Sequence, residues 1–363
     1  MPRALRLGTQ RLIICLGPGG VGKTTIGAAL ALEAALSGRK VDVMTIDPAP
    51  RLLDTLGLQS RPATPHNVSL AGLHGRRGGR LRALRLDPKQ MFDRLVERYA
   101  PSTAARDIIL GNRIYRGISG ALAGVADYMA AEQLLDLRRD GTANLIVLDT
   151  PPSREAVDFL NAPRRMLNLL SSRAVTLLGT SRRVVPGLGL VDLAARAVLG
   201  AFDRLTGLHL LTDVQAFVRS FEGMYLGFAE RAAEVEALLR EPSCKLVVVT
   251  CAEPQRVEQT REIITALKEL NLQPGALVVN RVLPPLPDIQ DLDRVRLPAT
   301  LKRKLVRNLA DYQALKERES AWLEPLRQLI DGVPVLMAED LGDEPSGLKD
   351  LVRISRSTRV TNG

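Results

Sequence analysis

Residues Leu12 to Thr25 read LIICLGPGGVGKTT and run directly into IGAALALEAALSG, Ile26 to Gly38. Leu12 to Leu16 are uninterruptedly apolar and of strand length, with no alternation, as strands covered on both faces are. Gly17 to Thr24 fit the spacing G-x-x-x-x-G-K-[ST], and the alanine-rich stretch that follows has a helical pattern. Strand, loop and helix in that order is the context the motif requires. Glycines let backbone N–H groups close around phosphate oxygens, and the start of the helix adds partial positive charge. Gly19, Gly20, Val21, Gly22, Lys23, Thr24 and Thr25 are therefore expected to hold the phosphates of ATP. Lys23 would bridge the β- and γ-phosphates, and Thr24 would bind Mg²⁺. The competing reading is a glycine-rich turn without a ligand.

Working outward, further apolar runs of strand length stand at Val41–Ile46, Leu145–Leu148, Leu246–Val249, Ala276–Val279 and Val333–Leu336, separated by helical patterns. This predicts an α/β fold with a mostly parallel sheet wrapped by helices. Ligands of such sheets bind at the carboxyl ends of strands, where Asp47 and Asp149 both stand. Asp149, closing LIVLD, is the expected metal-side carboxylate; each Asp also suits the capping of a following helix. The stretches between Ile46 and Leu145 and from Asp149 to Arg240 read as mostly helical. Val214 to Leu239 carries apolar residues at i, i+3, i+4 spacing, a helix of roughly 40 Å. We assign 1–89, 141–152 and 241–363 to a nucleotide-binding α/β domain, and 90–140 with 153–240 to an inserted helical subdomain.

Lys and Arg number 50 against 40 Asp and Glu, a formal charge of +10, whereas aromatic residues are 3% of the chain. Many cations with few rings argue against a base-stacking nucleic-acid platform, so no nucleic acid is expected as partner. Nearly all the excess lies in residues 1–90, mainly at Arg76, Arg77, Arg80, Arg82 and Arg85 of a stretch, Arg61 to Lys89, whose first part reads as a loop. This patch suits an acidic partner or a lipid surface, or is a solvated loop. The three cysteines show no CxxC spacing, and Cys244 and Cys251 are about 23 Å apart along a strand, so no zinc and no thiolate site are expected. His66, His74 and His209 lack companion ligands. No apolar run reaches about 18 residues and no signal-peptide cleavage pattern follows the basic N-terminus, so a cytoplasmic location is expected.

PGGVGKTT, TIDPA, LRALRLDP, LIVLDTPPS, VVNR and VPVL followed by EDLGDEPSGL together resemble the deviant phosphate-loop ATPases related to the arsenite-pump ATPase and to the ATPases that deliver tail-anchored membrane proteins. DTPPSR and DFLNAPRR are similar to stretches of the bacterial arsenite-ATPase-related proteins. The resemblance covers nearly the whole chain. It implies a nucleoside triphosphatase of the SIMIBI class, acting as a homodimer or as a heterodimer with a paralogue, whose helical subdomain opens and closes with ATP turnover. It implies that Asp47 orients the hydrolytic water, that Asp149 is the switch carboxylate near Mg²⁺, and that Asn280 with Pro334, Val335 and Leu336 holds adenine. Asn280 also suits a cap on the turn after its strand. It further implies an apolar protein cargo or a membrane-associated partner. The methionines Met91, Met129, Met166 and Met224 suit either a cargo groove or core filling, and Val184–Phe202 is apolar and broken by glycine, as a mobile lid would be.

One departure stands out. The resemblance implies a lysine at the second loop position, reaching a partner's phosphates, and this chain has Pro18, with neither cation nor backbone N–H. Arg154 or Arg51 could replace it from a switch segment, or each is a solvated loop charge. Two other classes compete with the hydrolase: a partition or cell-division positioning ATPase, and a nucleotide-gated scaffold that barely hydrolyses ATP.

Overall fold

The computed structural model describes residues 9–60, 62–112, 115, 123–152, 154–170, 224–288, 296–330, 332–343 and 345–361. Val184–Phe202, His209 and the first part of the Val214–Leu239 pattern lie outside them, as does the side chain of Arg154. The chain divides into two compact units, residues 1–85, 140–157 and 241–363, and residues 86–139 and 158–240.

The first unit is built on a nine-stranded sheet, β1 (Leu12–Leu16), β2 (Lys40–Thr45), β3 (His66–Asn67), β4 (Arg80–Arg85), β5 (Leu145–Asp149), β6 (Cys244–Thr250), β7 (Pro274–Val282), β8 (Val335–Glu339) and β9 (Arg359–Thr361). Their spatial order is β3-β4-β2-β5-β1-β6-β7-β8-β9. The strands from β4 to β8 in that order are parallel, and β3 and β9 close the two edges antiparallel. This is the expected mostly parallel α/β sheet. β1 and β5 are buried along their whole length, which is why they read as unbroken apolar runs. Helix α1 (Lys23–Leu36) is buried almost all round, from Ile26 to Ala35 with only Glu33 less covered. Its alanines and Gly27 let it lie close to the sheet, where a Cβ at Gly27 would stand 3.4 Å from Cys15 Sγ.

Most of the regular structure between residues 46 and 145 is helical, as expected, but β3 and β4 also lie there, which the sequence pattern did not show. Helix α2 (Arg51–Thr55) follows the end of β2. In β4, Leu81 and Ala83 are buried, whereas Arg80, Arg82 and Arg85 keep their charged ends at polar partners. Register sets Arg82 opposite Asp42. Asp42, 1% exposed, accepts from Arg82 Nε at 2.7 Å and from Nη2 at 2.6 Å. Arg85 donates to the Pro48 carbonyl at 3.1 Å, and Arg80 to the Thr142 carbonyl at 3.2 Å. Much of the basic excess therefore serves the sheet, and Arg76 and Arg77 are the exposed remainder.

Helices α3 (Pro88–Tyr99), α4 (Thr103–Gly111), α5 (Ala123–Asp140), most of α6 (Arg154–Leu170) and α7 (Tyr225–Arg240) supply the second unit, which has no strand among its described residues. Asp87 caps α3, accepting from Gln90 N–H at 2.9 Å, and Pro88 takes its first position. Ser102 caps α4, accepting from Ala105 N–H at 3.1 Å. Phe92, Tyr115, Tyr128 and Phe228 form its aromatic core, with neighbouring centroids 5.1 to 6.2 Å apart. Met91, Met129 and Met224 are buried there and act as core filling; Met166 is half-buried.

Helices α8 (Pro254–Glu269), α9 (Ala299–Gln328) and α10 (Leu348–Ser357) complete the first unit. Helix α10 buries Leu351 and Ile354 against α1, and Arg359 on β9 pairs with Glu339 at 3.2 Å. Among the described residues no helix is long and apolar enough to cross a membrane.

Candidate functional site

The loop Gly17–Gly22 joins β1 to α1 at the carboxyl edge of the sheet, where β1 lies between β5 and β6. That is where strand order reverses and an α/β sheet opens a crevice. Two glycines are required there by space. A Cβ at Gly17, φ 152°, would run into the Val249 carbonyl, and one at Gly22, φ 87°, into the Asn280 amide. The first intrahelical bond of α1 runs from Ile26 N–H to the Gly22 carbonyl at 2.9 Å. The N–H groups of Lys23, Thr24 and Thr25 thus have no intrahelical acceptor and are free for an anion.

Lys23, 7% exposed, donates from Nζ to the Pro18 carbonyl at 2.9 Å. Burial lowers its pKa, opposed by the negative charges of Asp149 and Asp47, with a further lowering from Arg51. Proline at 18 therefore still supplies the carbonyl that parks the lysine, though no cation of its own.

Asp149, at the end of β5, is 1% exposed. Its Oδ2 accepts from Thr24 Oγ1 at 2.9 Å and from Thr45 Oγ1 at 3.0 Å. Its Oδ1 is buried and has no hydrogen-bond partner among the described residues. Burial pushes the carboxyl up to about 6, against the two hydroxyls and Lys23, which favour the ionised form. A hydroxyl and a carboxylate with a spare, dehydrated oxygen are the donors a small hard cation takes, and a cation there would restore the charge balance. The residues present fit a divalent ion.

Asp47 follows β2. Its backbone N–H donates to Thr45 Oγ1 at 3.2 Å, and its Oδ1 accepts from Ala49 N–H at 2.9 Å. Thr45 thus joins the segments of Asp47 and Asp149, a role that sequence reasoning missed. Its signal was a polar residue closing the otherwise buried run of β2, two positions before Asp47. Thr150 was missed as well; its hydroxyl donates to the Cys15 carbonyl at 2.7 Å and fastens the end of β5 to β1.

Asn280, 7% exposed near the end of β7, donates from Nδ2 to the Val21 carbonyl at 2.8 Å, so it props the phosphate loop from beneath. Pro334, Val335 and Leu336 are not brought to this edge. Val335 begins β8 and Leu336 is fully buried within it, paired with Val278. In a parallel strand the ligand side is the carboxyl end, which on β8 is Ala338 and Glu339 rather than its start. The shift arises because the strand starts at Val335 and continues through Met337 to Glu339, beyond the apolar run visible in sequence.

Arg51 heads α2 and is exposed, and Arg154 heads α6. Cys15 and Cys251 are buried and Cys244 is half-buried. Burial pushes Cys244 up to about 12 and Cys251 to about 11, so these thiols stay protonated at neutral pH.

Residues 10–313 match the family model described as anion-transporting ATPase. An uncharacterized protein of Streptomyces coelicolor is 29% identical over 276 residues, covering 76% of this chain and 63% of that protein's length. ATPase GET3 of Malassezia globosa is 24% identical over 304 residues, covering 83% of this chain and 81% of its own. Putative arsenical pump-driving ATPase 1 of Aquifex aeolicus is 22% identical over 353 residues, covering 93% and 80%. With a phosphate loop seated at the switch point of its sheet and most of its length matched, the chain belongs to the anion-transporting ATPase family and is an ATPase.

Proposed function

We propose that the chain binds and hydrolyses ATP with Mg²⁺, and that the nucleotide cycle drives movement of its helical unit. The observation that carries the reading is the Thr24–Asp149 hydrogen bond with Asp149 Oδ1 left without a partner beside it. In the proposed cycle Lys23 leaves the Pro18 carbonyl for the phosphates, while the N–H groups at the start of α1 take the remaining oxygens. Thr24 and Asp149 would hold Mg²⁺, which would supply charge neutralisation when bound. Asp47, fixed through Ala49 N–H and Thr45, orients the attacking water with its second oxygen. Asn280 keeps the loop in shape through its bond to the Val21 carbonyl.

Chain connectivity supports the coupling. Helix α6 starts shortly after Asp149 and continues to Leu170, so one helix belongs to the first unit up to Val157 and to the second from Asp158. We extend the reading, on family membership, to a dimer in the cytoplasm that handles an apolar protein or membrane-associated partner. Hydrogen exchange tests the cycle: MgATP is expected to change protection in segments 86–112 and 224–240, and Asp47→Asn to hold the ATP-bound pattern. Unchanged protection in both segments would contradict the coupling. Pro18 favours a second reading, a nucleotide-gated scaffold with slow hydrolysis, which predicts the same exchange response with turnover insensitive to Asp47→Asn.

A further inference from the structure

The loop itself offers one cation, Lys23, since its second position is Pro18. A second cation faces it from outside. The space that a Cβ would fill at Gly20, in the arch of the loop, lies 3.7 Å from Arg256 Nη2. Arg256 stands in the first turn of α8, directly after β6. That is an unfavourable place for a cation, because the start of a helix carries partial positive charge. No acidic residue lies in that first turn, and Glu253 before it makes no capping bond. Arg256 Nη1 donates to Gln259 Oε1 at 2.9 Å, and the nearest carboxylate, the mostly exposed Glu253, is 3.9 Å from Nε. The Nη2 side toward Gly20 has no hydrogen-bond partner among the described residues. Cys251, within 3.9 Å of the Val21 carbonyl, feels the positive charges of Arg281 and Arg256, which oppose the rise that burial causes in its pKa. The guanidinium field therefore reaches the flank of the loop.

We propose that Arg256 is a polyphosphate-binding residue of the site, its guanidinium placed over the loop at Gly20 to take phosphate oxygens of the bound nucleotide. An Arg fork supplies parallel donors to phosphate, and the anion would also relieve the repulsion at the start of α8. This rests on the ATP reading above and deepens it.

Calorimetric titration with MgATP and with inorganic tripolyphosphate, which lacks the base, tests it on the full chain. Arg256→Ala and Arg256→Gln are expected to weaken both ligands by about tenfold or more, and Arg256→Lys to stay within about threefold of the wild type. Melting of the ligand-free variants is followed in parallel. If Arg256→Ala melts early, the Lys and Gln variants decide: recovery of binding with Lys alone supports the proposal, and equal behaviour of the two overturns it. Wild-type binding with unchanged affinity in Arg256→Ala overturns this proposal alone. Absence of MgATP binding by the wild type overturns the ATP reading and the proposal with it.

Discussion

Asp149 is the residue on which the site's electrostatics turn. Its carboxyl, at 3.8 ordinarily, is pushed up to about 6 by burial. The unfolded chain therefore releases this proton at lower pH than the folded one. Stability from this group is full in acid, falls as pH rises from about 4 through 6, and stays reduced above, by roughly 3 kcal/mol in the absence of ligand. Asparagine keeps an acceptor for Thr24 and Thr45 and carries no charge. Ligand-free Asp149→Asn should then melt above the wild type at about pH 7.5, with the gain shrinking toward pH 4. A gain of equal size at both pH values, or none, would show that the buried charge is not the cause. The same variant is expected to lose the stabilisation that MgATP gives the wild type.

At the scale of elements, the helical unit contains a buried charge network with a definite vulnerability. Arg231 on α7, 2% exposed, donates to Glu132 on α5, which is fully buried, to Asp136 at 2.9 Å and to the Tyr99 hydroxyl at 3.1 Å. Tyr128 also donates to Glu132. Removing Arg231 alone leaves Glu132 buried without a counter-charge, and Arg231→Met should destabilise by about 3 to 5 kcal/mol in denaturant unfolding. Replacing both, with Glu132→Leu, should recover most of the loss. Additive losses would contradict a coupled pair.

The same scale explains what the sequence made legible. The central strands are covered on both faces, so Leu12–Leu16 and Leu145–Leu148 announced themselves as apolar runs, and the glycine loop between strand and helix could be read directly. β4 could not, because its apolar residues alternate with arginines whose partners, Asp42 above all, lie far away in the chain. Asn280 was legible as a site residue, whereas its role beneath Val21 is a property of register between β6 and β7. Pro334 to Leu336 misled because an apolar run does not reveal which end of a strand reaches the crevice. Arg256 carries no motif at all; only folding brings the start of α8 over Gly20.

For the molecule as a whole, the charge of +10 resolves into local uses. Arg80, Arg82 and Arg85 hold the edge of the sheet, Lys23 and Arg256 stand at the phosphate loop, and Arg231 organises the helical unit. The central claim of the proposed function is that this site turns over ATP through Lys23 and a metal held at Thr24 and Asp149. Phosphate release from ATP by the purified chain, compared between wild type and Lys23→Ala and between Mg²⁺ and a chelator, tests it most directly. The account predicts turnover by the wild type in Mg²⁺ that drops at least about a hundredfold with Lys23→Ala or with chelation. Equal release by wild type and Lys23→Ala would contradict it.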